Sequence, residues 1–268
     1  MNRIDQLFAK LRSEGRRALM PFLTAGDPDL ETTSALVREV LDRGAHMVEL
    51  GIPYSDPIAD GPVIAASYTR ALNRKIKLDS IFSAVETLRI DKSLTAPIVT
   101  MVSYAIVHRH GVIKYLDRAS SSGVDGLIVP DLPVEEAVDL CQLARERSLS
   151  LIQLVTPTTP RDRALKIVES TTGFLYYVSV AGVTGERRAM PTDLAENVSW
   201  LRSRTDLPVC IGFGISGPEQ IHQLAPLADG LIVGSALVRR LENAASRPRA
   251  EVVSDIGQFV AELVAALT

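Results

Sequence analysis

The sequence predicts an α/β protein, a closed (β/α)8 barrel with an extra N-terminal helix. Three observations carry that expectation: eight short segments are apolar at nearly every position, amphipathic stretches alternate with them, and 268 residues suit eight βα units. Strands apolar on both sides are those covered on both faces, as parallel strands under a layer of helices are. An open doubly wound sheet is the competing arrangement, but it uses fewer strands over such a length and needs a switch point in strand order. No long Ser/Gly linker divides the chain, so residues 1–268 are expected to form a single (β/α)8 barrel domain.

Taken in order, "MNRIDQLFAKL" (1–11) is charged and amphipathic, unlike a secretory leader, and is expected to form a helix that plugs the bottom of the barrel. The eight strand candidates are "ALMPFLT" (18–24), "HMVEL" (46–50), "APIVTMV" (96–102), "DGLIVP" (125–130), "SLIQLV" (150–155), "FLYYVSV" (174–180), "PVCIGF" (208–213) and "DGLIVG" (229–234). Helical patterns at 30–44, 134–148 and 161–173 lie between them, and two of these stop at a glycine suited to a C-cap, Gly44 and Gly173. "VVSDIGQFVAELVAAL" (252–267) is expected to complete the outer ring. "DGLIV" occurs on the fourth and again on the eighth strand, an offset of half a barrel.

Lys and Arg number 29 against 32 Asp and Glu, a net charge of −3, which argues against nucleic acid or anionic membrane as the main partner. No apolar run reaches the roughly 18 residues of a membrane span. Cys141 and Cys210 sit in apolar surroundings and read as buried thiols, consistent with a reducing, cytoplasmic setting.

In such a barrel the chemistry lies at the carboxyl ends of the strands and in the loops that follow. "GFGIS" (212–216) and "GSA" (234–236) follow strands seven and eight, where glycine backbones and helix starts together suit an anion, most often phosphate. Tight turns are the plain alternative. "VAGVTGERRAMPTDL" (180–194) is long enough for a lid, with Thr184 placed to hydrogen-bond inward; a surface loop is its alternative. Glu49 closes strand two. A carboxylate in an apolar mouth is expected to titrate high by desolvation, which suits proton transfer near neutral pH. A salt-bridged structural acid is the other reading of Glu49, and turn or helix capping that of Asp56 and Asp60. His108 and His110 read as exposed loop histidines rather than metal ligands. Lys166 lies in a helical pattern, and no strand-end lysine suggests a Schiff base.

Five segments, "PFLTAGDPD" (21–29), "ELGIPYSDPIADGP" (49–62), "GVDGLIVPDLPVEE" (123–136), "YYVSVAGVTG" (176–185) and "GFGIS" (212–216), are collinear and span nearly the whole chain. Together they closely resemble the tryptophan synthase alpha subunit, a (β/α)8 barrel family. The resemblance implies a lyase that cleaves indole-3-glycerol phosphate to indole and glyceraldehyde 3-phosphate without a metal or cofactor of its own. It implies catalytic roles for Glu49, as general acid/base, and Asp60, as acceptor of the indole N–H. It places Phe22, Ile128, Leu154, Tyr176 and Phe213 around the indole ring, and Gly185, Gly212, Gly214, Gly234 and Ser235 around the phosphate. Thr184 matches the lid residue that engages Asp60, and Asp56 faces the beta subunit. That partner, in an α2β2 complex, carries the pyridoxal phosphate. One departure stands out: Ser103, Tyr104 and Ala105 replace the family's usual Asn-containing run on a partner-facing segment. Two further readings share the residues: a stand-alone lyase releasing free indole, and a non-catalytic activator of the beta subunit. Intact Glu49 and Asp60 argue against the second.

Overall fold

A computed structural model of the chain describes residues 2–57, 61–90, 94–178, 193–212 and 214–267. Its strands are β1 (Ala18–Thr24), β2 (Val48–Gly51), β3 (Ile98–Met101), β4 (Gly126–Ile128), β5 (Ser150–Ile152), β6 (Leu154–Val155), β7 (Leu175–Val178), β8 (Val209–Gly212) and β9 (Gly230–Val233). All pair in parallel, in the order β5-β4-β3-β2-β1-β9-β8-β7-β6. The two ends of that order are halves of the predicted fifth strand, so the sheet wraps into a nearly closed TIM barrel. Ile128 pairs with Ile152 on one side of the junction and Leu154 with Tyr176 on the other. Gln153 divides the halves. Its buried side-chain amide donates to the Ser170 carbonyl and to the Ser170 hydroxyl, each at 2.7 Å, while its backbone carbonyl accepts from Tyr176 N at 3.0 Å. The eight predicted strands are therefore all present, and the fifth is broken by a side chain that serves the helix behind it.

The helices are α1 (Arg3–Ser13), α2 (Leu30–Asp42), α3 (Pro62–Asn73), α4 (Leu78–Ile90), α5 (Tyr104–His110), α6 (Val112–Ser122), α7 (Val134–Arg145), α8 (Arg161–Glu169), α9 (Leu194–Arg202), α10 (Pro218–Leu224), α11 (Ser235–Arg240) and α12 (Arg249–Ala265). α2 ends at Asp42, two residues before Gly44, whose φ of +96° turns the chain away after the C-cap Arg43. α8 stops earlier than expected, at Glu169, and Gly173 serves the turn into β7 instead. The long closing helix α12 packs on α2.

Alternation along the strands separates two cores. Leu19, Leu23, Val48, Leu50, Leu127 and Leu231 point outward and pack under the helices. Ala18, Met20, Met47, Val99, Ile128, Ile152 and Cys210 fill the barrel, and α1 joins them. Asn2 and Asp5 form a capping box that starts α1. Ile4, Phe8 and Leu11, spaced to share one helix face, are buried in the barrel core, with the Phe8 and Phe174 ring centroids 5.8 Å apart. The predicted plug is thus real. It is held at both ends: Arg3 pairs with Asp125 at 2.9 Å and Arg12 approaches Asp229 at 4.0 Å.

Those two acids explain the repeated "DGLIV". Each opens its strand, and each accepts the backbone N–H that opens the preceding strand, Ile98 N for Asp125 and Val209 N for Asp229, both at 2.9 Å. Each binds an arginine from the helix before that preceding strand: Arg89 at 2.7 Å from Asp125, and Arg202 at 3.4 Å from Asp229. Arg89 also donates to Gly123 O and Arg202 to Leu227 O, each two residues before its acid. The same polar station is built twice, half a barrel apart.

Asp125→Ala should cost about 3–5 kcal/mol, because it strips the largely covered Arg89 of its charge partner and leaves the buried Ile98 N–H unpaired. Asp229→Ala should cost less, since its arginines stand farther off; urea unfolding compares the two. A pH effect is expected at the same end. His46 Nδ1 accepts from Leu19 N at 3.1 Å, and burial, with Arg16 alongside, lowers the ring from near 6.5 to about 4. The unfolded chain then binds the proton first, so stability is full above about pH 6.5 and falls as pH drops toward 4. His46→Gln should flatten that limb of a stability-against-pH curve.

Candidate active site at the carboxyl-terminal mouth

Strand parity decides which side chains meet at the mouth. On β1 the inward positions are Ala18, Met20 and Phe22; at β2 they are Met47, just before the strand, and then Glu49 and Gly51 on it. Phe22 and Glu49 are direct register partners, and Glu49 pairs in turn with Val99. Glu49 is 1% exposed, a carboxyl held inside the barrel near its open end. Around the same wall the inward set continues through Met101, Ile128, Leu154, Tyr176, Gly212 and Gly234. The structure therefore brings Glu49, Phe22, Ile128, Leu154, Tyr176, Gly212 and Gly234 to the lining of one barrel. Ile128 lies fully buried, deeper than Leu154 and Tyr176, which remain partly accessible.

Two glycines make room for the rings. A Cβ at Gly212 would overlap the Tyr176 ring, so Tyr176 lies across that backbone. A Cβ at Gly51 would overlap the Phe22 ring and come within 2.8 Å of Tyr68 Oη. Gly51 is a site residue that sequence reasoning passed over, although it stands two positions after Glu49 in "ELGIP". Ile64 and Tyr68 on α3, Met101 and Val238 complete the apolar cluster around Phe22. They carry no motif; only the fold assembles them.

On the anion side, Gly234 is the N-cap of α11, buried Ser235 is its first residue, and Gly214 is half-buried in the loop after β8. Backbone donors at a helix start near glycine are the chemistry a phosphate needs. Asp60, Thr184, Gly185 and Phe213 lie outside the described residues, as does most of the expected lid, 180–192. Asp56 is exposed.

The remaining expectations resolve as follows. Cys141 and Cys210 are buried and unpaired as disulfides, with burial pushing both thiols up. His108 and His110 are exposed, but on the short helix α5 rather than in a loop. Among the described residues no group of three His, Cys, Asp or Glu could hold a metal, and no helix is long and apolar enough to cross a membrane. The unusual Ser103 caps α5: its Oγ accepts from Ala105 N at 3.2 Å and donates to Asp131 at 2.7 Å. Asp131 also accepts from Tyr104 N at 2.8 Å, tying the loops after β3 and β4 together.

Because Phe22 fills the space above Gly51, Gly51→Ala should destabilise the fold by about 1–3 kcal/mol through overpacking. Gly217→Ala, where a Cβ meets nothing within 4 Å, should be close to neutral; thermal unfolding of the pair checks this.

Comparison with known proteins bears on the same site. The family model for the tryptophan synthase alpha chain matches residues 8–267. The alpha chain of Rhodopirellula baltica is 56% identical over 250 residues, 93% of this chain and 90% of its own length. That of Synechococcus elongatus is 47% identical over 243 residues, 90% and 91% of the two. The crystal structure of the alpha subunit from Legionella pneumophila superposes with a TM-score of 0.90 at 34% identity, covering 100% of this chain and 98% of that one. Tryptophan synthase of Mycobacterium tuberculosis gives 0.89 at 33% identity, covering 99% and 98%. With the barrel, the inward Glu49 and the glycine-lined mouth all agreeing, the chain belongs to the tryptophan synthase alpha chain family.

Proposed function

We propose that Glu49 and Asp60 share the work of the family's carbon–carbon lyase reaction, the retro-aldol cleavage of indole-3-glycerol phosphate. The observation that carries this reading is the placement of Glu49: 1% exposed, inward, and in register with Phe22 at the open end of the barrel. Indole leaves poorly as a carbanion, so C3 must gain a proton before the bond to the glycerol chain breaks. Glu49, protonated, supplies it. The ring system then carries positive charge toward N1, and Asp60 accepts the N–H bond and stabilises that charge. Glu49, now a carboxylate, takes the proton of the adjacent glycerol hydroxyl. The C–C electron pair returns to the ring, the hydroxyl carbon becomes the aldehyde of glyceraldehyde 3-phosphate, and Glu49 ends protonated again. Atoms and charge balance without an outside acid.

The apolar wall of Phe22, Ile128, Leu154, Tyr176 and Phe213 holds the indole, and Gly185, Gly212, Gly214, Gly234 and Ser235 hold the phosphate. Thr184 reaches Asp60 when the lid is over the substrate. The chain needs no cofactor of its own in this scheme. Its partner is a tryptophan synthase beta subunit, in an α2β2 assembly in the cytoplasm, and pyridoxal phosphate belongs to that partner. Ser103, Tyr104 and Ala105 belong to the partner-facing side; Ser103 is bonded to Asp131 there, and Ala105 lacks the hydrogen-bonding amide of the family's Asn.

Glu49→Gln should cut cleavage by about 10²–10⁴-fold while substrate binding stays near normal, since the amide keeps the shape and loses the proton. Turnover like that of the unaltered chain would sink the mechanism. Asp60→Asn should fall less, because an amide oxygen still accepts the N–H. Ala105→Asn should change the acceleration that the beta subunit confers and leave cleavage by the chain alone within about twofold; steady-state rates with and without the partner decide.

A further inference from the structure

"TAGDPD", the segment that follows β1, holds a buried charge with no part in the proton transfers above. Asp27 is 1% exposed. Arg70 on α3 grips it with both arms, Nε to Oδ1 at 3.0 Å and Nη2 to Oδ2 at 2.6 Å. Three residues earlier on each element stands a second contact, Thr24 Oγ1 to Ser67 Oγ at 2.6 Å, with Ser67 also bonded to Ile64 O. The end of β1 and one face of α3 are therefore joined by two polar rungs.

Burial pushes the Asp27 carboxyl up, and the hydrogen bonds and charge of Arg70 offset that only in part. A pair dehydrated at such cost is poor evidence for added stability. What the guanidinium fork does supply is direction, since two parallel N–H bonds admit one approach. The object so directed is α3, which presses Ile64 and Tyr68 onto Phe22, the register partner of Glu49. Tyr68 Oη reaches the space over Gly51, two residues beyond Glu49.

We propose that Arg70 is a positioning residue: its two-armed hold on Asp27 sets α3 along the end of β1 and so keeps Phe22 placed against the Glu49 strand during cleavage. The proposal rests on the lyase reading above. Lysine in place of Arg70 keeps the charge and loses the fork. It separates orientation from electrostatic stability.

The test compares the full-length chain with its Arg70→Lys and Ser67→Ala variants in steady-state cleavage of indole-3-glycerol phosphate, alongside thermal unfolding and amide hydrogen exchange. For Arg70→Lys, kcat should fall about tenfold or more with KM changed less than about threefold, at a temperature where the variant is fully folded. An unchanged kcat, or a fall no larger than the loss of folded protein, overturns the proposal. Should Arg70→Lys not fold, Ser67→Ala decides: a lower kcat at unchanged KM supports the two-rung device, and an unchanged kcat overturns it. No cleavage by the unaltered chain, either alone or with its beta subunit, would contradict the lyase reading itself. Exchange then judges Arg70 alone: faster exchange across α3 in a folded variant supports the positioning role, and equal exchange overturns it.

Discussion

A barrel of parallel strands has two open ends, and chemistry at one of them depends on the other being shut. Here the seal is α1, and the polar stations at Asp125 and Asp229 hold it. Each acid closes three debts at once, a strand-opening N–H and two arginines from different helices, although the Asp229 contacts are looser. With the bottom filled by Ile4, Phe8 and Leu11, the inward residues above have a floor to pack on. Parity then sorts the rest: hydrocarbon through the middle, a single buried carboxyl on β2, and ring-over-glycine contacts at the rim.

The rim itself follows from that stacking. Glycines at 51 and 212 are needed because Phe22 and Tyr176 occupy the volume their side chains would take. The rings stand on the same barrel lining as Glu49. Glu49, 1% exposed and in register with Phe22, stands where the proposed proton transfer to carbon needs it. The loops after β3 and β4 are latched by Asp131, so the mouth is braced from outside as well.

Legibility in the sequence followed the range of the interactions. β1 was readable to the residue, because all seven positions of "ALMPFLT" are buried and the pattern says so. The second strand begins two residues later than its text suggests, since His46 serves as acceptor for Leu19 N, which no local pattern announces. Gln153 looks like any polar position within a strand; its role depends on Ser170, seventeen residues away at the C-cap of α8. Asp27 and Arg70 are separated by 43 residues and meet only in the fold. The "DGLIV" echo was visible, but its reason, two acids capping a plug, required the helices to be in place. At the site, Glu49 was legible as a strand-end acid, whereas Phe22, Leu154 and Tyr176 could be singled out only through the resemblance. Gly51 was missed because its meaning is the space it leaves to a ring from another strand.

The account makes the chain an alpha-type lyase whose acid sits ready inside its own barrel and whose output rises with a beta partner. The most direct measurement is the release of glyceraldehyde 3-phosphate from indole-3-glycerol phosphate by the purified chain, alone and with its own beta subunit. Slow release alone and strong acceleration with the partner is the predicted result. No release in either case would contradict the account, and fast release that ignores the partner would contradict its assignment as a subunit.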